Sequence, residues 1–178
     1  GGGMEIWQYT SREPETQTPF SLLQLGLLVT RIKCENALEG RNKLIENNPS
    51  EVKNDPLGKP SFSLTDPFRN RFIVAESDNW YQHKNSTFGG IEGIVIGVSD
   101  MEKSLKFYRD VLQIDDVLFD EERVFEDFAR LEGGDQTFRR VRLAPSKRNT
   151  GAFSKVFGAF YVELVEAKST PNTGHNMK

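Results

Sequence analysis

From Gly93 to Val98 the chain is almost continuously apolar, with Ile94, Val95 and Ile96 at its centre, which predicts a short, well-buried strand. Ser99 follows as a helix cap, and Glu102 three residues on completes a capping-box pattern. Met101, Leu105, Tyr108 and Leu112, joined by Val111, fall on one helical stripe, while Lys103, Lys106, Arg109 and Asp110 face water. A strand is expected at Val117-Leu118-Phe119, and then the stretch Val124 to Phe128 leads on to the Gly133-Gly134 turn. A strand from Thr137 to Leu143 comes next, then a loop, then a closing strand through Phe160-Tyr161-Val162-Glu163-Leu164-Val165-Glu166. The order is strand, helix, three strands.

An earlier segment repeats that order. A strand through Leu25 to Val29 leads into a helix from about Glu35 to Glu46, stopped by Asn47, Asn48 and Pro49. A hairpin follows, Phe62 to Thr65 returning through Arg71 to Val74. Its turn is carried by Asp66-Pro67 and Asn70, where proline presets φ and the Asx side chains bond their own backbone. The helix starts, read at Cys34 and Asp100, are too far apart for a solenoid and suit a duplicated small module. Three stretches then look like the closing strand of one unit: 4–9, 72–76 and 160–166. Strand side chains alternate faces, so Glu163 shares a side with Tyr161 and Val165, and Glu5 with Trp7 and Tyr9. A carboxylate inside such a strand is costly to bury unless a cation, a proton or hydrogen bonds compensate it.

Bulk properties narrow the classes. The 178 residues suffice for one generous domain or two small ones, and 37% hydrophobic with 28% charged residues describes an ordinary globular chain. A net charge of −3 gives no reason to expect nucleic acid or an anionic membrane as partner. The basic cluster Arg139, Arg140, Arg142, Lys147 and Arg148 reads as a solvated strand face and turn. Cys34 is the single cysteine, so no internal disulfide forms; a reducing, cytoplasmic setting is the expectation, and the thiol reads as a small buried hydrophobe. No apolar run approaches the ~18 residues of a membrane helix, and the start lacks the pattern of a signal peptide. His83 and His175 have no partner at ligand or triad spacing, and no nucleophile elbow or phosphate loop is present.

The stretch Gly93 to Tyr108, with its Asp-x-x-x-Ser-x-x-Phe-Tyr element, and the strand Val162-Glu163-Leu164-Val165-Glu166 resemble the vicinal oxygen chelate superfamily of glyoxalase I, bleomycin-resistance proteins and extradiol dioxygenases. The Asp66-Pro67-Phe68-Arg69-Asn70 turn resembles that family's Asp-Pro-x-Gly-Asn hairpin, with Arg69 in place of glycine. In order and texture the chain resembles a fragment of a multi-module glyoxalase-related protein of Bacteroidetes. The resemblance implies an α+β fold of tandem βαβββ modules forming curled mixed sheets. Its divisions would be a closing strand of a truncated module at 1–12, a degenerate module at 20–80, a second module at 88–168, and a polar tail at 169–178.

It also implies a function: a divalent-metal-dependent lyase or isomerase, or a dioxygenase, acting on a small substrate with vicinal oxygens. The metal (Zn, Ni, Mn or Fe) would be held by side chains from the first and fourth strands of paired modules, with a homodimer or a missing module as partner. The fourth-strand ligand falls on Glu163, which would also be the catalytic carboxylate, and on Glu5 in the truncated unit; in the middle module it falls on Ile73. The first-strand position falls on Gly93 and near Leu27, neither of them a ligand. Glu92 is one residue away and should point to the opposite face unless a bulge re-aims it. The alternatives are a salt bridge from Glu163 to Arg140 or Arg142, and a metal-free binding or sequestering protein or non-catalytic module. Phe125, Phe128, Phe153 and Phe157 are expected in the core, at a module interface or lining a cleft.

Overall fold

The computed structural model describes residues 21–80, 85–147, 150–152, 154 and 158–168. The expected strand at 4–9 with Glu5, both histidines, Phe153, Phe157 and the tail lie outside these residues. Two strand–helix–three-strand units follow one another. The first comprises β1 (Gly26–Cys34), α1 (Ala37–Lys43), β2 (Lys53–Asn54), β3 (Pro60–Thr65) and β4 (Arg71–Glu76); the second comprises β5 (Phe88–Gly97), α2 (Met101–Asp110), β6 (Asp116–Arg123), β7 (Phe138–Ala144) and β8 (Tyr161–Ala167). They share one curled, mixed, eight-stranded sheet in the order β2-β3-β4-β1-β5-β8-β7-β6. This is the α+β architecture expected from the sequence. First strands β1 and β5 meet antiparallel at the centre, and each runs parallel to the closing strand of its own unit, β4 or β8.

Both helices start in the same way. Asn36 caps α1 by accepting from Glu39 N, and Asp100 caps α2 by accepting from Lys103 N. Closing-strand glutamates Glu76 and Glu166 accept from the first helical N–H groups, those of Ala37 and Met101. The cap of α2 is therefore Asp100 rather than Ser99, and Glu102 pairs with Arg139 instead of completing a capping box. The first helix begins after Asn36, because Cys34 is still the last residue of β1.

The helices cover one face of the sheet. Met101, Leu105 and Ile114 pack on Val141, Leu143, Val162 and Leu164, and Ala37 packs near Cys34, Phe62 and Val74. Strand alternation sends the neighbouring side chains to the inner face. At one end that face is apolar: Leu22, Val29, Ile73, Val95, Phe125, Phe128, Leu131, Phe138 and Val165 form one cluster. At the other end it is charged.

In the β3–β4 turn Asp66 Oδ1 accepts from Phe68 N and Asn70 N, each at 2.8 Å, as its sequence indicated. Arg69 takes the left-handed conformation there (φ 68°), at the place where the resembled hairpin has glycine.

Candidate functional site

Seven acidic or basic side chains and a tyrosine fill the charged end of the inner face. Arg31, Arg140, Arg142 and Glu163 are essentially without solvent exposure, and Asp55, Glu92, Asp127 and Tyr161 are buried. Glu163 sits at the centre: Arg140 Nε donates to Oε1 (2.7 Å) and Arg142 Nε donates to Oε2 (2.9 Å). Arg140 continues as a fork onto Asp127, at 2.7 and 3.0 Å, with its guanidinium 3.6 Å from the Phe128 ring centroid. Arg142 Nη1 donates to Asp55 Oδ2 (3.0 Å), which also accepts from Arg31 Nη2 (2.9 Å). Arg31 Nε donates to the Tyr161 hydroxyl, which donates to Glu92 Oε2 at 2.6 Å.

The basic cluster is thus divided by strand alternation. Arg140 and Arg142 point inward and are buried, which corrects the solvated-face reading, while Arg139 turns outward to Asp120 and Glu102. Burial alone would raise the Glu163 pKa; Arg140, Arg142 and Arg31, with the Arg142 hydrogen bond, outweigh it and hold the carboxyl at about 2. Burial likewise opposes ionisation of Asp55, but Arg31 and Arg142 keep it below the usual carboxylate range. Burial pushes the Tyr161 phenol upward against the pull of Arg31 and Arg142, and Glu92 adds to the rise. Tyr161 is therefore a neutral donor at neutral pH.

Glu92 reaches this face by a route that strand alternation forbids. Gly93 pairs with Arg31 while Ile91 pairs with Ile32, so the register slips and Glu92 is the extra residue of a bulge. Gly93 shows why no side chain stands beside it: a Cβ there would lie 2.5 Å from the Tyr161 carbonyl oxygen and 2.6 Å from its ring. The first-strand counterpart in the other unit follows from the pairing of Val29 with Val95 and of Arg31 with Gly93, a near-symmetric crossing. It is Val29, not Leu27, because α1 starts later than the sequence suggested.

Of the four first- and fourth-strand positions Val29, Ile73, Gly93 and Glu163, only Glu163 carries a metal donor. Both of its oxygens are held by guanidinium groups, and Arg31 adds a third cation to its field. Among the described residues, no group of three or more His, Cys, Asp or Glu is arranged to hold a metal ion. A divalent cation would have to displace two arginines that are themselves buried, and the residues present do not fit one. The carboxylate–arginine alternative and the shared face of Tyr161 and Glu163 were legible in the sequence; that a bulge brings Glu92 to the same face was not.

No protein-family model and no curated protein sequence matches the chain. Solved structures do. Glyoxalase I from Zea mays superposes with a TM-score of 0.52 at 14% identity, covering 83% of this chain and 44% of that one. A point mutant of the same maize enzyme gives 0.55 at 13% identity, covering 83% and 45%. The chain has the glyoxalase fold. It spans less than half the length of those glyoxalase I chains, and at such identity the likeness speaks for architecture alone. No helix among the described residues is long and apolar enough to cross a membrane.

Proposed function

We propose that this chain is a metal-free member of the glyoxalase-fold group that binds a small molecule, and that it forms part of a larger assembly of such modules. The single observation behind this reading is the state of Glu163, the one competent position, whose two oxygens each accept from a buried arginine. A ligand or catalytic role for that carboxylate would require Arg140 and Arg142 to let go of it, leaving two uncompensated buried cations. The guanidinium groups of the inner face are already engaged by Glu163, Asp127 and Asp55, a fixed polar network in place of an open coordination site. The span, under half of the glyoxalase I chains, supports a module within a larger whole.

The test is titration calorimetry of the chain with Zn²⁺, Ni²⁺ and Mn²⁺, alongside metal content after purification. No stoichiometric binding at micromolar metal is the expected result. Tight one-to-one binding that is abolished in Glu163→Ala would refute the metal-free reading and restore Glu163 as a ligand.

A further inference from the structure

Two concavities meet at Arg130. The larger, of about 460 Å³, lies between the two units; the smaller, of about 210 Å³, is bounded by Ser63, Leu64 and Thr65 of β3 and by Leu131. Asn48, Ser50 and Arg130 line both. The turn that carries the arginine is anchored. Ala129 N donates to the Glu126 carbonyl (3.2 Å) and Leu131 N to that of Phe128 (2.8 Å), and Phe128 and Leu131 are buried. The backbone at Arg130 is thus fixed while its side chain is exposed to the space on either side.

The other charges on these walls already have partners. Arg41 Nη2 donates to Glu51 (2.8 Å), Lys53 pairs with Glu126 across the units (3.4 Å), and Asp127 is held by the Arg140 fork. Glu132, two residues further on, lies in the field of the buried Arg71. Arg130 has no hydrogen bond or ion pair among the described residues. In the smaller concavity it is the one charged lining residue, and the side chains of Asn47, Asn48, Ser63 and Thr65 there make no hydrogen bond among the described residues either. Free amides and hydroxyls favour a ligand that carries hydroxyl groups, and one unpaired guanidinium favours a single oxyanion. An apolar ligand would strip water from these groups and replace none of its hydrogen bonds.

We propose that Arg130 anchors a binding site for a small hydroxylated anion, a sugar acid or sugar phosphate, with its oxyanion on the guanidinium and its hydroxyl groups along the two concavities. The larger space, at about 460 Å³, falls within the roughly 300–1,000 Å³ of small-molecule sites. The site rests on the small-molecule reading above and names its ligand class, while leaving the bonds of Glu163 undisturbed.

The experiment titrates the ¹⁵N-labelled full chain with gluconate and, separately, with glycerol 3-phosphate at constant ionic strength. The backbone amides of 47–51, 63–65 and 129–131 are followed. Sorbitol, with hydroxyls and no charge, and acetate, with charge and no hydroxyls, are the controls. Saturable shifts at those amides with gluconate or glycerol 3-phosphate are expected, with at least tenfold weaker binding of both controls. Gluconate alone would identify a carboxylate ligand, glycerol 3-phosphate alone a phosphate. Arg130→Gln should weaken binding at least tenfold, whereas Lys106→Gln, which removes an exposed charge on α2 away from both concavities, should not. Absence of saturation with both probes would overturn the proposal, as would acetate or sorbitol binding equally well, or binding unchanged in Arg130→Gln. Should that variant fail to fold, the comparison of the four compounds on the native chain still decides. Metal binding is read by a separate titration, so the two proposals fail independently.

Discussion

Replacing Glu163 with glutamine keeps the shape of the side chain and removes its charge, and the structure fixes what that costs. The carboxyl is held at about 2 against an ordinary value of 4.5. The gap is roughly 2.5 units, and at 1.36 kcal/mol per unit it corresponds to about 3 kcal/mol of folding stability carried by the ionised form. A second route gives the same size: removing one member of a buried ion pair costs about 3–5 kcal/mol, because the partner charge stays behind. Here Arg140 keeps Asp127 and Arg142 keeps Asp55, which places the loss near the lower end.

The sign with pH follows from the direction of the shift. A carboxyl depressed in the folded state contributes its full stability above its unfolded value and loses it as pH falls through its folded value. The difference between wild type and Glu163→Gln should therefore be about 3 kcal/mol at pH 7, shrink from about pH 4.5 downward, and nearly vanish by about pH 2. Asp55 is also depressed and titrates in both proteins, so to first order it cancels in the difference. Urea unfolding at a series of pH values reads this directly, through the midpoint at constant slope. A loss under about 1 kcal/mol at pH 7, or a difference that does not change with pH, would refute the account of Glu163 as an ionised anchor between two arginines.

Other expectations follow from single positions. Gly93→Ala should lower stability by about 1–3 kcal/mol, since its Cβ meets the Tyr161 backbone oxygen, and a thermal melt measures it. Arg69→Gly should raise the urea midpoint by up to about 1 kcal/mol of stability, because the left-handed conformation at that turn is strained for any residue with a Cβ. Cys34, fully buried with its thiol pushed up to about 12 chiefly by burial and further by Glu76 and Glu92, should resist a chromogenic disulfide reagent at pH 8 until the chain is unfolded in urea.

Periodicity made the architecture legible. The stripe Met101, Leu105, Tyr108 and the alternation around Glu163 report local burial, and local burial is what a hydrophobic pattern encodes. Alternation also placed Tyr161, Glu163 and Val165 on one face, and offered Arg140 or Arg142 as partners for the glutamate. The pattern around Asn36 was ambiguous by two residues, and that small error moved the first-strand position from Val29 to Leu27. Arg31 and Asp55 had no local signal. Their roles arise only when β1 and the 55–59 turn are brought against the second unit, a contact between residues far apart in sequence. The bulge at Glu92 is equally silent, because an extra residue in a strand leaves the composition unchanged and alters only the register.

The charged and apolar ends of the inner face do different things for the pairing of the two units. The apolar end, where Val29 and Ile73 meet Val95, Phe125 and Phe128, supplies area removed from water and tolerates small adjustments of position. Arg31 to Tyr161 and Asp55 to Arg142 also cross between the units, but as directional hydrogen bonds. A slip of β1 against β5 by one residue would turn Arg31 to the helix-covered face, removing the guanidinium that joins Asp55 to Tyr161. Buried ion pairs often contribute little more than an apolar replacement would, yet breaking one is expensive. An arrangement whose correct form is roughly neutral and whose misregistered form is costly selects the register without adding much stability. Glu163 therefore acts through its arginines on where the units meet, and Glu163→Gln should loosen that boundary, with amide exchange rising first along β1 and β5 before the helices are affected. Uniform acceleration across the whole chain would show instead that the carboxylate serves global stability alone.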